Sequence, residues 1–238
     1  MANRRSTRLI AALDTSDHAT AQRWANDLRG CVDAVKLGLE FTYACGLEAV
    51  KAIGAQQDLF LDLKLHDIPN TVASGLKALT PLKPRLTTIH ACGGAEMIRR
   101  SREVLDEAFP GDPERPKLIA VTVLTSMNTQ TLSEIGVNAT PLQQVVKLGR
   151  LAMQAGADGL VCSAHEITAL RDALGEVPEL IVPGIRPEGS EAHDQKRVMT
   201  PRQAAEAGAD WIVVGRPITR AADPAQAAQT IQAELKAS

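Results

Sequence analysis

The chain has 238 residues, with 26 Lys and Arg against 28 Asp and Glu for a formal net charge of −2, and is 45% apolar and 23% charged. That is the make-up of an ordinary globular protein, long enough for one α/β barrel or two small domains. The near-neutral balance excludes an electropositive footprint for nucleic acid or a membrane surface, and two Trp, one Tyr and three Phe are too few for base-stacking platforms or an interfacial belt.

No apolar run approaches the roughly 20 residues of a membrane helix. The opening MANRRSTRLIAALD is basic and then apolar, but the apolar stretch stops at Asp14, too soon for a signal-peptide core, so a cytoplasmic protein is expected. Cys31, Cys45, Cys92 and Cys162 form neither a CxxC motif nor a zinc knuckle. They read as reduced thiols.

Short Ile/Val/Leu-rich runs alternate with longer Ala-rich stretches along the whole chain. The expected strands are 8–13, 34–37, 59–63, 85–90, 118–123, 159–161, 180–182 and 211–214. Their continuous apolar character suits parallel strands buried on both faces. Helical patterns follow each of them at 19–28, 47–55, 72–79, 95–108, 141–155, 164–173, 201–207 and 224–236. Thr200 before Pro201 and Asp223 before Pro224 are helix-start signals, and the glycines of two Gly-Ala-Asp repeats, at Gly156 and Gly208, each close a helix ahead of a strand. Eight strand–helix units in 238 residues are the arithmetic of a (β/α)8 TIM barrel. No linker or composition break divides the chain, so residues 1–238 are read as one domain. Two connections, 125–140 and 183–200, are long and polar, and both follow the C-terminal ends of strands, where barrel enzymes keep their active sites.

Charges gather at those same ends. Asp62 and Lys64 lie two apart on the third strand, so an extended backbone points them to one face. Asp14 ends the first strand, Lys36 the second, and Asp67 follows the third. A packed barrel has no need of so many charges at one rim, whereas an alternating array holds each group's protonation state and offers a lysine as proton donor. Pro183-Gly184-Ile185-Arg186 follows strand seven and Gly215-Arg216 follows strand eight, the usual phosphate-binding place in such barrels. The backbone at Gly215 and the guanidinium groups of Arg186 and Arg216 suit a phosphate dianion, with Gln195 closing over it from the long loop. His90 is placed to line the site, while His66 and His18 look incidental. No HExxH or two-His-one-carboxylate spacing argues for a metal, and Cys162-Ser163 lacks the elbow and His partner of a nucleophile.

The segments LIAALD, AVKLGLEF, LFLDLKLHDIPNT, VTVLTS, GADGLVCS, PGIRPEG and VVGRPIT, spread from about residue 8 to residue 233, resemble the orotidine 5′-monophosphate decarboxylase family. DLKLHDIPNT is the most specific of them. The resemblance implies a homodimeric barrel with active sites at the subunit interface. Its activity would be the last step of de novo UMP synthesis, converting orotidine monophosphate to UMP and CO2 without metal or organic cofactor. By motif match it implies Lys64 as proton donor to C6 within a network of Lys36, Asp62 and Asp67. Asp67 and Thr71 would reach the neighbouring subunit's site, Asp14 and Lys36 would hold the ribose, and Thr125 and Ser126 the pyrimidine. Pro183, Arg186, Gln195, Gly215 and Arg216 would bind on the phosphate side. The alternatives are a magnesium-dependent sugar-phosphate decarboxylase of the same barrel superfamily, which the Lys36 ammonium opposes, and a non-catalytic phosphate-ligand sensor.

Overall fold

The computed structural model describes residues 6–187 and 199–236. Its strands are β1 Arg8–Ala12, β2 Ala34–Gly38, β3 Leu59–Leu65, β4 Leu86–His90, β5 Lys117–Val121, β6 Gly159–Val161, β7 Glu179–Pro183 and β8 Trp211–Val214. Each pairs in parallel with the next, and β8 closes on β1 through Arg8↔Trp211 to Ala11↔Val214, giving an eight-stranded barrel. The helices are α1 His18–Asp27, α2 Leu39–Gly54, α3 Pro69–Leu79, α4 Gly94–Ala108, α5 Thr129–Glu134, α6 Pro141–Gln154, α7 Ile167–Leu174, α8 Pro201–Ala207, α9 Arg216–Thr219 and α10 Pro224–Lys236. Among the described residues no helix is long and apolar enough to cross a membrane.

The start signals work as read. Thr200 accepts from Gln203 N–H and Asp223 from Gln226 N–H. Several boundaries differ from the sequence pattern by one to three residues, among them α3 starting at Pro69 rather than residue 72, α7 at Ile167 rather than 164 and β5 ending at Val121 rather than 123. Three other differences bear on the architecture. First, α2 begins at Leu39 rather than residue 47. Gly46, at φ +78°, breaks the helix into two pieces, and the apolar period registered only the second. Second, the polar connection 125–140 carries α5, capped by the Asn128 side chain on Thr131 N–H. Third, β3 runs two residues further than expected, to Leu65.

Along each strand the side chains alternate between two apolar cores. Leu9, Ala11, Val35, Leu37, Leu59 and Leu61 face the helices. Ile10, Ala12, Ala34, Phe60, Leu86, Ile119, Ile181, Trp211 and Val213 fill the lumen. Because both faces are buried, the strands read as continuous apolar runs. Each fully buried large side chain contributes about 1.5–3 kcal/mol. At the N-terminal end Trp211 plugs the lumen. Its indole N–H donates to Glu179 at 2.7 Å, and the Arg8 guanidinium lies 3.6 Å over its ring while bonding the same carboxylate at 2.9 Å.

The aspartates of the Gly-Ala-Asp repeats have a task the sequence did not disclose. Asp158 accepts Leu118 N–H at 2.8 Å and Asp210 accepts Leu180 N–H at 2.8 Å. Asp33 does the same for Leu9 at 2.7 Å. In each case the aspartate's own N–H returns a bond to that residue's carbonyl. Each side chain therefore satisfies a strand-starting donor and pins an odd-numbered strand to the next one. Arg115 and Arg171 neutralise Asp158 and Asp210 at 2.7 and 2.6 Å.

Candidate active site

The inward-facing positions change character as the strands rise. On β1 the series Ile10, Ala12 is continued by Asp14, on β2 Ala34 by Lys36, on β3 Phe60 by Asp62, and on β4 Leu86 by Thr88 and His90. The apolar plug below and the charges at the C-terminal mouth are thus one period-two pattern read along four adjacent strands.

Four charges meet there in alternating order. Lys36 Nζ lies 3.0 Å from Asp14 Oδ1 and 3.5 Å from Asp62 Oδ2, and Lys64 Nζ lies 2.7 Å from Asp62 Oδ2. The inner members are the dry ones, since the side chains of Asp62 and Lys36 are 9% and 12% exposed against 31% for Lys64 and 57% for Asp14. The Asp14–Lys36 contact is therefore solvent-screened, whereas the contacts of Asp62 act at close range in a lower dielectric. Gly38 leaves room for this arrangement: a Cβ there would stand 3.1 Å from Lys36 Nζ and 3.7 Å from Asp14 Oδ1.

The meeting of Asp62 and Lys64 was expected from a regular extended strand, but the backbone achieves it differently. Lys64 has φ +50°, and the β3–β4 pairing shifts register between Leu61 and Leu65. A non-glycine residue in this region costs about 1–2 kcal/mol. The bulge re-aims the lysine at the mouth of the barrel.

Burial on its own would push the Asp62 carboxyl up. The Lys36 and Lys64 ammonium groups, with hydrogen bonds from Lys64 and Thr88, outweigh it and hold Asp62 below the ordinary carboxylate value. His90 is half-buried, and burial, His66 and Lys64 together lower its pKa against the pull of Asp62. It remains neutral near pH 7. His66 is not isolated: its ring centroid is 5.5 Å from that of His90, and its Nε2 is 3.9 Å from Cys92 Sγ. Among the described residues no group of three His, Cys, Asp or Glu is placed to hold a metal ion. Cys162 is wholly buried with its thiol pushed far up by desolvation, and Ser163 caps a short 3-10 turn with Glu166, so neither is set up as a nucleophile.

The other candidates divide by location. Asp67, just beyond β3, is exposed; its Oδ1 accepts Ile68 N–H at 2.6 Å and, among the described residues, it joins no ion pair. Thr71, in the first turn of α3, and Thr125 and Ser126, after β5, are exposed on the same C-terminal side of the barrel. Pro183 closes β7, and Arg186 N–H donates to Met199 O at 3.2 Å, tying together the two flanks of the long connection. Gln195 lies outside the described residues. Gly215 precedes α9, which opens with Arg216. A Cβ on Gly215 would be 3.5 Å from Ala12 Cβ and 3.9 Å from Asp14 Oδ2, so the end of β8 adjoins the Asp14 end of the charge array.

Two residues at the site escaped the sequence reading. Gly38 matters through the side chain it lacks, and Thr88 through a hydroxyl on Asp62. Thr88 has the inward parity of Leu86, a signal present in Leu-Thr-Thr-Ile-His but silent until the partner strand is placed.

Comparison with known proteins gives the family and the same barrel fold. The family model described as "Orotidine 5′-phosphate decarboxylase / HUMPS family" matches residues 7–231. A Gluconobacter oxydans (strain 621H) protein named orotidine 5′-phosphate decarboxylase is 71% identical over 231 residues, 97% of this chain and 98% of its own. One of the same name from Paramagnetospirillum magneticum (strain ATCC 700264 / AMB-1) is 49% identical over 231 residues, 95% of this chain and 97% of its own. The crystal structure of orotidine 5′-phosphate decarboxylase from Lactobacillus acidophilus superposes with a TM-score of 0.82 at 38% identity, covering 96% of this chain and 99% of that one. With the family model matching residues 7–231 and a relative 71% identical over nearly the whole length, this chain belongs to the orotidine 5′-phosphate decarboxylase / HUMPS family.

Proposed function

We propose that this protein converts orotidine 5′-monophosphate to UMP and CO2, the last step of UMP synthesis, without a metal or organic cofactor. The observation that carries the reading is the alternating Asp14–Lys36–Asp62–Lys64 array at the mouth of the barrel. Within the substrate the C6–carboxylate bond breaks, its electron pair stays on C6, and CO2 leaves. That pair lies in the ring plane and cannot spread into the π-system, so the stabilising charge must come from the protein. The Lys64 ammonium supplies it, then transfers a proton to C6 and regains one from water. Asp62, ionised beside the substrate carboxylate, disfavours the ground state and is relieved as CO2 departs. Lys36 and Asp14 hold the ribose hydroxyls, with Thr125 and Ser126 at the pyrimidine and Pro183 on the phosphate side. Arg186, Gln195, Gly215 and Arg216 bind the phosphate, whose remote binding energy orients the ring over Lys64.

The same array speaks against magnesium-assisted sugar-phosphate chemistry, because two ammonium groups within 3.5 Å of Asp62 repel a divalent cation. The proposal includes a homodimer in which Asp67 and Thr71 complete the partner's site. Two features support it: Asp67 is exposed and joins no ion pair among the described residues, and Ile68, Tyr43 and Leu39 leave apolar surface at 67%, 80% and 41% exposure on α2 and the connection into α3. A cytoplasmic location completes the reading. The test is turnover of orotidine monophosphate, followed by the loss of its ultraviolet absorbance, with purified protein in EDTA. Absence of turnover, or dependence on added magnesium, rejects the proposal.

A further inference from the structure

We propose that Thr88 is a positioning residue for the decarboxylation centre, its hydroxyl fixing both the Asp62 carboxylate and the left-handed backbone that aims Lys64. The inference rests on the reading of Asp62 and Lys64 given above. Thr88 is fully buried on β4. The β3–β4 ladder pairs Leu61 with Thr87 and Leu65 with Ile89, so Thr88 stands where regular pairing lapses. At that break Lys64 N–H donates to Thr88 Oγ1 at 2.9 Å, and Thr88 Oγ1–H donates to Asp62 Oδ1 at 3.0 Å.

A hydroxyl has one hydrogen. Accepting from Lys64 N–H leaves that hydrogen for Asp62 Oδ1, which accepts it most strongly when the carboxyl is ionised. One buried side chain therefore replaces the ladder bond missing at the bulge, holds Lys64 at φ +50°, and favours the ionised form of Asp62. Neighbouring strands cannot substitute. The groups facing Asp62 are Lys36 from β2, Lys64 from β3 and His90 from β4, with Asp14 behind Lys36. The two lysines engage Oδ2, leaving Oδ1 to Thr88.

The experiment compares Thr88→Val, which keeps the shape and removes the hydroxyl, with Thr88→Ser, which keeps the hydroxyl. Val is expected to lower kcat by about ten- to a hundredfold, the consequence of leaving a buried donor and acceptor unpaired. It should also move the acid limb of the kcat–pH profile upward, since Asp62 loses a bond to its charged form. UMP affinity should change by less than about threefold, because the phosphate grip is remote. Ser is expected to restore most of kcat and the wild-type acid limb. If Thr88→Val does not fold, Thr88→Ala against Thr88→Ser makes the same comparison. A Val (or Ala) variant with unchanged kcat and acid limb, or a Ser variant impaired as much as Val, overturns the proposal. Lys64→Ala, run alongside, separates the two levels: full turnover by that variant refutes the reading of the site itself, whereas its inactivity beside an unaffected Thr88→Val refutes only the role of Thr88.

Discussion

Asp62→Asn removes one charge from the array while keeping its shape. In the wild type Lys64 and Lys36 approach the same oxygen of Asp62 at 2.7 and 3.5 Å, so their ammonium nitrogens are no more than about 6 Å apart. With the carboxylate neutralised they face each other. At an effective dielectric of about 20 that repulsion is about 3 kcal/mol, and the partial exposure of Lys64 reduces it to about 2. Loss of the attraction that had offset the burial of Lys36 adds to it, for a total of about 3 kcal/mol, in the range seen when one partner of a buried pair is removed. For a chain of this length that corresponds to a fall in Tm of about 6–12 °C. The effect has a signed pH dependence. Asp62 is held below 3.8 in the folded protein, so its ionised form contributes stability that is complete above the unfolded value and is lost as pH falls through the folded one. The wild-type-to-variant gap should stay constant from about pH 7 to 5 and narrow below about pH 4. Thermal melts of both proteins across that range measure it. No gap at neutral pH, or a gap that widens on acidification, refutes the electrostatic reasoning.

Three more predictions follow from other parts of the molecule. Mixing inactive Lys64→Ala and Asp67→Ala chains should recover up to about a quarter of wild-type activity, because random heterodimers carry one intact site of two; no recovery places Asp67 in its own barrel's site or denies the dimer. Arg216→Ala should weaken UMP binding about ten- to a hundredfold by calorimetry while leaving uridine binding little changed, and equal losses for both ligands remove the phosphate role. Asp210→Ala strips a buried partner from Arg171 and Leu180 N–H, and should cost about 3–5 kcal/mol in denaturant unfolding while kcat persists in the folded fraction. A comparable loss of kcat would mean that the N-terminal end of the barrel is coupled to the mouth.

Much of the architecture was legible because its signals are local. Apolar runs of strand length, Ala-rich helical stretches, Pro after Thr200 and Asp223, and Gly156 and Gly208 at helix ends are each decided within a few residues. They suffice to count eight strand–helix units and to place Asp14, Lys36, Asp62 and Lys64 at successive strand tops. Where the reading slipped, a local signal was overridden or masked, as at Gly46, whose positive φ splits α2, and in the polar 125–140 stretch that nonetheless caps a helix.

The sequence by itself therefore determined the fold class, the kinds of charge at the mouth and their order along the chain. Tertiary structure decided how those charges engage one another. The register slip that places Lys64 in the left-handed region, the use of Thr88 to cover it, and the stitches from Asp33, Asp158 and Asp210 exist only when neighbouring strands lie side by side. The physical reason is that a backbone donor left unpaired at a bulge or a strand start takes whatever acceptor the adjacent strand presents. That acceptor is far away in sequence and is chosen by closure of the barrel.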